Sequence, residues 1–159
     1  MAQITMNTTD SPRANRLLET VAIVDQTANS TAVTKGVHVP DWATSCCWLL
    51  NVTNMGGTTP LIDFKLEGID PWTLTTTHVW PLGDWDGITQ LTTNGSTPKV
   101  AIDVGPNITA DDTGSATASC RYGVNASLPP VIVYTYTTDG TTDDEDYDFT
   151  ISVFFKGKG

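Results

Sequence analysis

Apolar and polar residues alternate with a period of two along most of the chain. Ile62, Phe64 and Leu66 alternate with Asp63, Lys65 and Glu67, which predicts a strand with one buried and one wet face. Val100, Ile102 and Val104 repeat the pattern against Lys99, Ala101 and Asp103. The longest stripe is Tyr147, Phe149, Ile151, Val153 and Phe155, facing Asp148, Thr150 and Ser152. Cys46, Trp48, Leu50 and Val52 oppose Cys47 and Leu49, so this strand is apolar on both faces and is expected at a sheet centre, covered on two sides. Further strands are predicted over 21–26, 33–39 and 131–137, where Val, Ile, Thr and Tyr dominate.

Turn residues punctuate these runs at Asn54-Met55-Gly56-Gly57, Gly68-Ile69-Asp70-Pro71, Asn94-Gly95-Ser96 and Asp139-Gly140. The last is read as a hairpin joining the strand at Val131 to the strand at Tyr147. Two stretches, 70–90 and 109–128, read as long loops. The expected fold is an all-β, single-domain β-sandwich of about seven to eight strands with two long loops. Jelly-roll and immunoglobulin-like strand orders fit this alternation equally well. Residues 1–18 are expected to form an N-terminal arm or short helix, and 19–159 the sandwich. The helix candidate is 12–19, with Ser11 as cap and Pro12 in the first turn.

Composition narrows the function. The 159 residues hold 8 Lys and Arg against 18 Asp and Glu, a formal charge of -10, so binding of nucleic acid through a basic patch is not expected. No apolar run approaches the roughly 20 residues of a membrane helix. The segment from Met1 to Asp10 has neither a basic n-region nor an apolar h-region, so no signal peptide is expected. Thr alone accounts for 28 residues.

Candidate chemistry is sparse. His38 lies in a predicted strand and His78 in a loop, without a nucleophile motif beside either, so no catalytic residue and no enzyme is expected. Cys46, Cys47 and Cys120 lack zinc-site spacing, and no metal or other cofactor is expected. One of the adjacent pair could bridge to Cys120, but a reduced set is the favoured reading. Asp139, Asp143, Asp144, Glu145, Asp146 and Asp148 form the densest charge cluster, read as a solvent-facing acidic hairpin that discourages edge pairing rather than as a calcium site. Trp72, Trp80 and Trp85, with His78, gather in one predicted loop that could anchor a protein contact or stack against a glycan.

A series of short motifs runs through the chain: Gly36-Val37-His38-Val39, Asn51-Val52-Thr53, Gly57-Thr58-Thr59-Pro60 and Gly68-Ile69-Asp70-Pro71. Pro106-Asn107-Ile108-Thr109, Leu128-Pro129 and Thr150-Ile151-Ser152-Val153 follow. Read in order, these motifs resemble a family of small tailed-phage virion proteins, and the likeness runs from about Thr20 to Phe155. The chain departs from that pattern at Pro130-Val131-Ile132, where the family tends to continue with Arg. The resemblance implies a capsid decoration or cement protein at the virion surface, made in the host cytoplasm. It would bind the major capsid protein and itself, as a homotrimer at local threefold positions. The alternative it leaves open is a fibre or adhesin module that binds carbohydrate through the Trp-rich loop.

Overall fold

The computed structural model describes residues 16–27, 29–58, 60–69, 79–80, 88–91, 98–109, 120–139 and 146–157. Among the described residues every regular element is a strand. In chain order they are β1 (Arg16–Thr27), β2 (Asn29–His38), β3 (Ala43–Gly56), β4 (Leu61–Ile69) and β5 (Val79–Trp80). Then come β6 (Ile88–Leu91), β7 (Lys99–Gly105), β8 (Cys120–Asn125), β9 (Val131–Asp139) and β10 (Asp146–Gly157).

Two sheets form a β-sandwich. Sheet A has the order β1-β10-β3-β7-β8, and sheet B the order β2-β9-β4-β5, with β6 also on β4. The antiparallel pairs nest inside one another: β1 with β10, β2 with β9, β3 with β7, and β4 with β5 and β6. A long two-stranded ribbon rolled into two sheets has this order, which makes the sandwich a jelly roll rather than an immunoglobulin-like fold. β8 is the addition to that plan, and it runs parallel to β7 at the edge of sheet A.

The predicted alternation positions the core. β3 buries Cys46, Trp48, Leu50 and Val52, and β10 buries Tyr147, Phe149, Ile151, Val153 and Phe155. Sheet B answers with Ile62, Phe64 and Leu66 from β4 and Ile132, Tyr134 and Tyr136 from β9. Aromatic rings lock the layers together. Trp48 meets Tyr134 at 5.6 Å between centroids, and Tyr136 meets Phe149 edge-on at 5.3 Å. The Leu61 N–H donates to the Tyr147 hydroxyl at 3.0 Å, a polar tie from β4 to β10. At the edge strand β2, Lys35 stands in register with buried Tyr134, so a charge faces inward where a further strand could otherwise dock.

Several expectations change. Arg16 to Glu19 belong to β1, so the strand claims the second half of the helix candidate over 12–19. From Arg16 onward the segment forms a ladder with β10, and tertiary pairing overrides a weak cap signal. The segment after Asp139 is not a hairpin, because β9 lies in sheet B and β10 in sheet A. It carries the chain from one layer to the other. The supposed loop over 70–90 contains β5 and β6, which share the second edge of β4. The supposed loop over 109–128 contains β8, whose Tyr122 and Val124 are buried. β3 does lie at the centre of sheet A, but its outward Cys47 and Leu49 remain part-exposed rather than covered.

Candidate interaction surfaces

The register places the residues of the outer face of sheet A. One row across the strands reads Phe154, Cys47, Asp103, Gly123, and the next reads Ser152, Leu49, Ala101, Arg121. A third row sets Thr150 beside Asn51 and Lys99. Phe154, Cys47, Leu49 and Ala101 are all part-exposed, so four apolar side chains adjoin on a face where an antiparallel sandwich usually presents polar ones.

Charge frames this patch. Arg121 grips Asp103 with two contacts, its Nε donating to Oδ2 and its Nη2 donating to Oδ1 at 3.0 Å, across the parallel pair β7 and β8. Lys156 is exposed near the end of β10, while exposed Asp146 opens that strand. The Asn54 side-chain amide donates to Asp146 Oδ2 at 2.8 Å, and the Thr53 hydroxyl donates to the Asp148 carbonyl at 3.1 Å.

Beside Lys156 lies a cleft of about 300 Å³, lined by Ser45, Cys46, Asp103, Pro106, Ile108 and Lys156. Its wall exists because residues 106–109 fold close over β8. A Cβ on Gly123 would sit 2.0 Å from the Thr109 carbonyl oxygen, so only glycine permits that approach. Asn107 takes a positive φ of 63° in the same turn, a conformation Asn tolerates better than most residues. Burial pushes the Cys46 thiol up to about 12. Burial also pushes the neighbouring Cys47 thiol up to about 11, with the Asp103 carboxylate adding to the effect. Both thiols are therefore protonated near neutrality. The cleft sets the Lys156 ammonium and the Ser45 hydroxyl beside Asp103, whose carboxylate Arg121 already holds, against an apolar wall.

Cys46 and Cys47 are free thiols. Register excludes a bridge from either to Cys120, because β7 separates β3 from β8 and Cys120 pairs with Val100 while Cys47 pairs with Asp103. Two strand spacings and a three-residue offset put Cys47 and Cys120 roughly 14 Å apart, against a bridging limit near 7 Å.

The other predicted residues fall as follows. Trp80 lies in β5, opposite Gly68, rather than in a loop. Trp72, His78 and Trp85 lie outside the described residues, as do Asp143, Asp144 and Glu145. Asp139 ends β9 opposite Leu61 in sheet B, whereas Asp146 and Asp148 lie in sheet A, so the acidic cluster spans both layers. No group of three or more potential metal ligands occurs among the described residues. His38 is exposed at the end of β2. The Asp103–Arg121 pair leaves no signal in the sequence, since Arg121 lies in a small, polar stretch that reads as loop, and the cleft leaves none because it joins residues about 60 and 50 positions apart.

The fold and these surfaces define a jelly-roll domain with a part-apolar, charge-framed sheet face. Comparison with protein-family models, with curated proteins and with solved structures finds no match for the chain.

Proposed function

We propose that this protein decorates a bacteriophage capsid, binding the major capsid protein and stabilising the head without catalysis. The observation that carries this reading is the nested strand order. Jelly rolls recur in viral capsid domains and lectins, where rigid sheets present loops and faces to large partners. A fold hosts many functions, so the reading also leans on the virion-like motif order. Of those motifs, Gly36 to His38 ends β2, Pro106 to Thr109 follows β7, and Asn51 to Thr53 and Thr150 to Val153 lie within β3 and β10. In the capsid lattice the protein is a homo-oligomer, with a trimer matching threefold positions.

The second reading, a glycan-binding adhesin module, draws on Trp80 in the short strand β5. One experiment separates the two. Purified protein is incubated with undecorated capsids at micromolar concentration and sedimented. Co-sedimentation is expected, and its absence overturns the capsid reading. Retention on a glycan array that is lost with Trp80→Ala and Trp85→Ala would instead favour the adhesin.

A further inference from the structure

We propose that the outer face of sheet A is a self-association surface, through which two copies of this chain pack face to face with their strands antiparallel. The inference concerns the free protein and does not rest on the capsid reading.

Three observations meet on this face. First, its centre is apolar: Phe154, Cys47, Leu49 and Ala101 adjoin across β10, β3 and β7, each part-exposed. A solvated sheet face commonly carries polar residues at such positions, and apolar ones that adjoin mark an interaction surface. Secondly, the described side chains of the face balance in charge, in a chain of charge -10. Its described side chains include three bases, Lys99, Arg121 and Lys156, and three acids, Asp103, Asp146 and Asp148. Two copies therefore approach here with little net repulsion. On sheet B, β4 sets Asp63 and Glu67 against Lys65 alone.

Thirdly, the charges are ordered along β10. Asp146 and Asp148 stand at its start and Lys156 at its end, about 33 Å apart at the extended rise. Packing two such faces with strands parallel would set acid on acid. Antiparallel packing places the Lys156 end of one copy over the acidic end of the other, at both ends of the contact, with Leu49 near the two-fold axis. The cleft beside Lys156 then receives the acidic end of its neighbour. Five strands spaced at about 4.8 Å give a face of roughly 600 to 700 Å² per copy, close to the ~800 Å² of a standard specific interface.

The test is the mass in solution, by light scattering and sedimentation equilibrium up to about 100 µM. A dimer is expected for the unaltered protein, and a monomer or a trimer overturns the two-fold contact. Leu49→Glu is expected to give monomer. Lys156→Glu, at an exposed position that leaves folding intact, is expected to weaken dimerisation about tenfold. Adding Asp146→Lys to Lys156→Glu is expected to restore it to within about threefold, because the swapped charges again face each other between copies. Within one chain these residues are too far apart to compensate. A dimer indifferent to Leu49→Glu and Lys156→Glu, or a Lys156→Glu defect that Asp146→Lys does not rescue, overturns the arrangement. Capsid co-sedimentation is measured separately, so failure of either idea is seen on its own.

Discussion

At the scale of single residues, burial sets the chemistry of the thiols. Cys46 faces the core and Cys47 the outer side of the same strand, yet both are harder to ionise than a free thiol. The larger rise, to about 12, belongs to the more deeply buried Cys46. This makes stability depend on pH in a defined direction. An unfolded thiol ionises near its ordinary value of 9.0, whereas folded Cys46 keeps its proton until about 12. The stabilisation is fully present below pH 9 and is lost as the pH rises towards 12. Denaturant titrations of the unaltered protein are expected to show stability falling above that point, and Cys46→Ala to show a shallower fall. Equal slopes would count against a buried thiol. The adjacency of two cysteines is plain in the sequence; their opposite environments are not, because this strand is apolar on both faces and its alternation does not say which one is covered.

At the scale of elements, strands with long stripes were legible and short or polar ones were not. β4, β7, β9 and β10 follow directly from alternating Val, Ile, Phe and Tyr. β8 escaped because only Tyr122 and Val124 mark it among small and polar neighbours. Its parallel pairing with β7 requires a crossover, and the first part of that crossover is held down by a backbone contact at Gly123. Gly123→Ala is therefore expected to destabilise the fold by roughly 1 to 3 kcal/mol, since a methyl group must displace the Thr109 carbonyl. A thermal melt checks this, with a fall of several degrees expected for a domain of this size. An unchanged midpoint would mean that residues 106–109 do not seal the edge of β8. The misread hairpin after Asp139 has a related cause. Asp-Gly signals a turn from sequence alone, and only the partners of β10 decide whether the next strand joins the same sheet.

At the scale of the whole molecule, the nested ribbon makes nearly every pairing distant in sequence. β1 pairs with β10 and β2 with β9, at opposite ends of the chain. Loop closure must precede most of the reward, so folding is expected on the millisecond-to-second scale rather than in microseconds. Stopped-flow Trp fluorescence is the measurement, given the buried Trp48; completion within the mixing dead time would contradict this topology. Local alternation between water and protein suffices for the all-β class, for the faces of the strands with long stripes and for most of the core, though not for Tyr122 and Val124 of β8. The sequence by itself also determines the acidity, with its six carboxylates between Asp139 and Asp148. Strand pairing sets the jelly-roll order, the distance of Cys120 from its would-be partners, and the division of Asp139 from Asp146 and Asp148 between two sheets. It alone set Phe154, Leu49 and Ala101 side by side between opposite charges. Alternation states that a residue has an inside or an outside, but register and strand order are settled by pairing between segments far apart in the chain.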